Sequence, residues 1–261
     1  MVFALAATVA DTALLLDVCA GPDPEDRTSL PAPQFSYRSA IDDLPAAGLR
    51  AAISPDLGFV PVETEIGDLV AAAYEDLVRL AGLRPVPVPV VLDDFLSIYT
   101  QIEGVDRWIG LPGGYWPARA GELGPVLRKR WEDGAGVTLP QLAEVYTRRR
   151  RLELQVAGLF DGLDVLVTPS ASYPAFPADG PIPTLVAGVH VAPLTGVAFP
   201  VLASLCNLPA ITVPVGLTRG RHAGRHADRS PSALRARVPK ASPAPGVAPA
   251  LASSRCLARP Q

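Results

Sequence analysis

The sequence predicts an α/β fold, a mixed sheet flanked by helices, with a disordered C-terminal tail. Three observations carry this. Two short apolar runs, Leu163–Thr168 and Ile211–Val215, are β-branched and end at or contain proline, as strands do. Two long segments, Glu63–Ala81 and the stretch after Thr138, repeat apolar residues at helical spacing. Finally, the composition changes abruptly at Arg219. Residues 1–218 hold 14 basic and 25 acidic residues, a net of −11, whereas 219–261 hold 9 basic residues and one acid, a net of +8. The sequence therefore divides into a structured region, 1–218, and an Arg/Ala/Pro-rich tail, 219–261, with no apolar periodicity to build a core.

In chain order, Thr8 is placed to cap a helix running to about Cys19, with Val9, Ala13, Leu16 and Ala20 on one face and Gly21-Pro22 as its stop. Residues 22–47, rich in Pro, Asp and Ser, read as a surface loop. Leu49–Ser54 is a short strand. Glu63–Ala81 is a helix with acids in its first turn and Gly82 and Pro85 beyond its end. Arg84–Val91 alternates Pro with Val and suits an edge, where a missing N–H costs no ladder bond. Asp93–Ile109 is a helix with Phe95, Ile98, Ile102 and Val105 inward, and Leu111–Pro117 is a turn-rich aromatic loop. Thr138-Leu139-Pro140-Gln141 is a capping box with proline in the first turn, opening a helix to about Phe160. Arg148–Arg151 within it reads as a solvated face paired with Glu144 and Glu153, in preference to an anion-binding patch.

Composition narrows the function classes. Apolar residues make up 49% of the 261, enough for a core. Three scattered cysteines form neither a disulfide framework nor a metal cluster, so no metal or cofactor is expected and a reducing cytoplasm is the expected location. Met1–Ala20 is apolar, but Asp11 and Asp17 interrupt it and no basic residue opens it, unlike a secretory signal. Neither a membrane nor a nucleic acid is an expected partner, and the oligomeric state is left open.

Four segments, in order, resemble the amidase-signature family: Thr8–Asp26 with its Gly21-Pro22-Asp23-Pro24, Ser54-Pro55-Asp56-Leu57-Gly58 as a strand, Asp164–Pro169, and Asn207–Gly216. The family cleaves or transfers amide nitrogen with a Ser–cis-Ser–Lys triad. A lysine held neutral takes the proton of a serine through a bridging serine, and a Gly/Ser-rich loop donates N–H groups to the oxyanion. No such loop occurs in this chain, and its two lysines, Lys129 and Lys240, lie in unrelated contexts. The resemblance therefore implies the C-terminal part of an amidase-like domain with no catalytic residue of its own, inactive alone. Its substrate is a small amide once a missing first half completes the site. The A-type component of a Glu-tRNA(Gln) amidotransferase is the nearest variant. A non-catalytic remnant or partner-binding module is the alternative of another class.

Two departures accompany the resemblance. Phe3–Ala7 replaces the family's Gly-Pro-Met-Ala-Arg, and Gly220–Arg229 replaces a strand of the kind Gly-Met-Pro-Val-Gly-Met-Gln-Ile-Val. Codons for Gly220–Arg229 can be chosen so that another frame spells that strand, which implies a frameshift near Arg219. By the same reading Met1 is an internal start, with the serine loop and lysine encoded upstream. Loops and strand ends line most sites, so Tyr115, Trp116, Ser170, Tyr173 and Asn207 are the candidate substrate-binding residues. Ser170 and Ser172 are the best-placed serines but lack a nucleophile-elbow context. His190 reads as a loop residue, and Cys206 as a buried small hydrophobe.

Overall fold

The computed structural model describes residues 5–26, 29–109, 113 and 115–218, together with the backbone of Pro231–Ala236. The chain divides into two compact units, Met1–Ala47 and Gly48–Gln261.

The first unit is a helix pair. Helix α1, Val9–Cys19, begins where Thr8 Oγ1 accepts from Asp11 N at 3.1 Å. Residues 22–47 are not wholly loop, because Tyr37–Asp43 form helix α2. Its N-terminus is capped twice. Ser36 Oγ accepts from Ser39 N, and Asp17 of α1 accepts from Ser36 Oγ at 2.7 Å, Tyr37 N at 2.5 Å and Arg38 N at 3.2 Å. These bonds, Ser36's first, hold the Asp17 carboxyl below the usual carboxylate range. A cap supplied from about 20 residues upstream leaves no local sequence signal.

The second unit is built on a five-stranded mixed sheet of order β2-β1-β3-β7-β6. Strand β1, Arg50–Ile53, runs parallel to β2, Arg84–Pro85, on one side and to β3, Val165–Pro169, on the other. Pro85 sits on the outer edge, as its missing N–H requires. Leu163–Thr168 and Ile211–Val215 do lie in one sheet. Strand β6, Ile211–Leu217, is its other edge, but β6 and β3 are not neighbours. Between them Pro231–Ala236 forms β7, antiparallel to both, so part of the tail expected to lack structure is a strand. The rest of that tail, 219–230 and 237–261, lies outside the described residues, and so does the shifted segment Gly220–Arg229.

Helices cover both faces. Helix α3, Thr64–Ala81, ends at Gly82 in the left-handed conformation (φ 65°), which glycine adopts without strain. It buries Ile66 and Val70, and its Tyr74 hydroxyl donates to Ala51 O at 2.9 Å. The larger core lies with α4 (Leu96–Ile109), α6 (Leu139–Gly162) and α7 (Ala198–Leu205). There Ala52 and Leu166 meet Phe95, Ile98, Ile102, Val145, Leu152, Val156, Phe160, Phe199 and Leu202. Strand alternation sends Ala52 and Leu166 to this face. The capping box of α6 is present: Gln141 N donates to Thr138 Oγ1, and Thr138 N to Gln141 Oε1.

Helix α5, Pro125–Ala135, was not signalled by the sequence. It packs on α4 at backbone contact, since a Cβ on Gly134 would overlap Gly104 O. The Arg148–Arg151 face is only partly the solvated one expected. Arg149 and Arg150 do pair with Glu153, but Arg148 donates to Ser97 Oγ and Arg149 to Leu205 O at the C-terminus of α7, while no ion pair to Glu144 is found among the described residues.

Phe95 is 1% exposed and meets Phe59 edge-to-face at 5.3 Å. Phe95→Ala leaves a large void there and is expected to cost about 3–5 kcal/mol. Urea unfolding, comparing midpoints at unchanged slope, checks it.

Candidate functional site at the strand ends

Ligands of α/β sheets gather beyond the carboxyl ends of parallel strands, where loops diverge. Strands β1 and β3 end side by side. After β1, Ser54 N donates to Val167 O at 2.9 Å, and Ser54 Oγ accepts from Leu57 N at 3.0 Å. The segment Ser54–Gly58, expected as strand, is thus a turn: Leu57 and Gly58 both take positive φ, and a Cβ on Gly58 would stand 2.9 Å from Val91 Cα.

After β3, the chain reads Ser170-Ala171-Ser172-Tyr173. Ser170 Oγ lies 3.2 Å from Thr212 Oγ1 of β6 and shares one hydrogen bond with it. Ser172 is fully buried. Its N–H donates to Gly196 O at 3.1 Å and its carbonyl accepts from Glu63 N at 2.9 Å, but its hydroxyl has no partner among the described residues. An orphan buried hydroxyl costs about 1–3 kcal/mol. Glu63 does a second job: its Oε1 accepts from Ala187 N at 2.9 Å. That bond anchors a hairpin of β4, Leu185–Val186, and β5, Val189–His190, whose two-residue turn is Ala187-Gly188 with both φ positive. His190 is therefore an exposed strand residue rather than a loop one.

Tyr173 is a wall of this region. A Cβ on Gly196 would overlap the ring atom Cε1 of Tyr173, so only glycine allows the ring its place. Phe176 meets the ring edge-to-face at 5.8 Å. Burial pushes the Tyr173 phenol above its usual pKa.

The sequence candidates separate into groups. Ser170 and Tyr173 lie together after β3. Tyr115 and Trp116 instead join the α4–α5 hairpin: Tyr115 meets Trp131, Arg119 lies over the Tyr115 ring, and Trp116 meets Trp108 and Trp131. Asn207 is exposed just after α7, where its φ of 49° makes the turn into Leu208-Pro209; this conformation suits asparagine. Sequence reasoning missed Glu63 and Gly196, whose roles depend on partners distant in the chain. Cys206 behaves as expected of a packed hydrophobe. Burial pushes its thiol up to about 12, with Glu153 adding and Arg149 opposing. Among the described residues no His/Cys/Asp/Glu group is arranged for a metal ion, and no helix is long and apolar enough to cross a membrane.

Comparison with known families decides what this scaffold is. The amidase family model matches residues 4–224. The chain belongs to the amidase family. It is 29% identical over 224 residues to an acylamidase of Rhodococcus erythropolis, covering 83% of this chain and 46% of that one. It is 27% identical over 241 residues to the A-type component of the glutamyl-tRNA(Gln) amidotransferase of Chlorobium luteolum, covering 81% and 47%. The fold matches a bacterial aryl acylamidase of the amidase-signature enzymes with a TM-score of 0.70 at 22% identity, over 88% of this chain and 47% of that one. A 6-aminohexanoate cyclic dimer hydrolase matches with 0.66 at 19% identity, over 90% and 50%. The chain thus spans about half the length of these amidase-family relatives.

The seat of Tyr173 is testable. Gly196→Ala is expected to push the ring outward and return its phenol pKa toward the ordinary tyrosine value. Ultraviolet titration, with the Tyr173 contribution isolated by subtracting Tyr173→Phe variants, should show tyrosinate at lower pH in the alanine variant.

Proposed function

We propose that residues 1–218 form the part of an amidase that carries most of the sheet and one wall of an amide-binding site, while the serine–lysine machinery comes from a segment outside them. One observation carries this reading. Among the described residues, the serines at the end of β3 have no base beside them: Ser170 bonds Thr212, Ser172 Oγ is unpartnered, and Lys129 is bound to Asp133 on exposed α5. That bond raises the Lys129 pKa and favours the charged form, the opposite of what a lysine base needs.

The substrate class is a neutral carboxamide. Ser170, Tyr173, Phe176 and Gly196 bring no charge to the strand ends, and the Glu63 carboxylate there is held by Ala187 N. This favours acyl amides over glutamine, whose charged α-groups need ionic partners. The second reading, a glutamine-using amidotransferase component, is supported by the relatives that carry that name. A cytoplasmic location completes the proposal, supported by Cys19 and Cys206 being free thiols.

The purified 261-residue chain is expected to release neither nitroaniline from 4-nitroacetanilide nor ammonia from L-glutamine above the uncatalysed rate. Hydrolysis that disappears in Ser170→Ala or Ser172→Ala would overturn the proposal and place the nucleophile in this chain. Ammonia release from glutamine alone would favour the amidotransferase reading.

A further inference from the structure

The α4–α5 hairpin concentrates charge and aromatic surface in a way that packing alone does not require. Glu103 accepts from Arg107 Nη2 at 2.6 Å and from Arg130 Nη1 at 2.7 and 2.9 Å. Two guanidiniums thus share one carboxylate, leaving an excess positive charge. These side chains are only 29%, 31% and 19% exposed for Arg107, Arg130 and Glu103, so water screens the excess poorly. Arg107 Nε and the Trp131 indole N–H are buried donors without an acceptor among the described residues.

Arg130 bonds Glu103 through Nη1 alone; its remaining N–H groups make no hydrogen bond among the described residues. It lines an open hollow of about 520 Å³ whose other walls are Gly124, Pro125 and Leu127. That volume falls in the range of small-molecule sites, roughly 300–1,000 Å³. An arginine among otherwise apolar walls matches a planar oxyanion with a hydrophobic body.

We propose that this hollow binds a small carboxylate with an apolar body, its carboxylate on the open edge of Arg130 and its body against Pro125 and Leu127. One negative charge balances the one excess cation, which favours a monocarboxylate over phosphate. The site rests on the hairpin geometry and is independent of where the amide-cleaving serine comes from.

All three tryptophans of the chain, Trp108, Trp116 and Trp131, lie in this hairpin cluster, so intrinsic tryptophan emission reads it directly. Titrating the full chain with benzoate should give a saturable change in emission, and neutral benzamide should give none. Arg130→Gln should weaken benzoate binding about tenfold or more, the loss expected of a charged hydrogen bond. Leu127→Asp, which leaves the Glu103 ion pairs intact, should weaken it in the same direction with unchanged far-ultraviolet circular dichroism. The proposal is overturned if benzoate gives no saturable change, if benzamide matches it, or if both variants bind benzoate as the parent does. Inorganic phosphate binding as tightly as benzoate would overturn the carboxylate assignment.

Discussion

The second unit depends on the parallel pairing of β1 with β3. These strands are more than 100 residues apart in sequence, and a single clamp sets their register. Asp164 accepts from Arg50 N at 2.8 Å, from Arg50 Nε at 3.0 Å and from Nη2 at 3.0 Å, while Arg50 Nη1 donates to Asp161 O. The fork of arginine against the fork of a carboxylate admits one alignment only. A slip of one residue would turn Ala52 and Leu166 away from the main core. With the register fixed, the chain leaves β1 at Ser54 and β3 at Ser170 on the same end of the sheet, and everything proposed for the strand ends follows from that.

The elements legible in the sequence are those whose signals are local. Thr8, the Thr138–Gln141 box and the Gly82 terminus each act within one turn of the residues they cap, and α1, α3 and α6 begin or end there. Val165–Pro169 is buried at every position, and the apolar run Val165-Leu166-Val167 within it announced it. The unread elements are held by distant partners. Helix α2 takes its cap from Asp17, α5 leans on Gly104 and Glu103, and β7 exists through ladders to β3 and β6. Helix α7 failed for another reason: Ala198–Leu205 is apolar nearly throughout, and a short apolar run does not distinguish helix from strand.

The site follows the same division. Ser170 and Tyr173 were readable because they follow a recognisable strand. The burial of Ser172, the seat of Tyr173 on Gly196, and the bond from Ala187 to Glu63 were not, the last joining residues 124 apart. Tyr115 and Trp116 were noticed for being aromatic in a turn-rich segment, but their neighbours are Trp108 and Trp131, which places them in the α4–α5 hairpin.

The cap that Asp17 gives α2 has a chemical consequence that the hydroxyl caps lack. It works only while the carboxyl is ionised, and the folded state holds that carboxyl's pKa below its unfolded value. The stabilisation is therefore fully present above the unfolded-state pKa and is lost as acid takes the pH down through the folded-state value. Thr8 and Ser36 do not titrate in this range, so α1 keeps its own start. Within the first unit, acid thus loosens the joint between the two helices while leaving the cap of α1 intact.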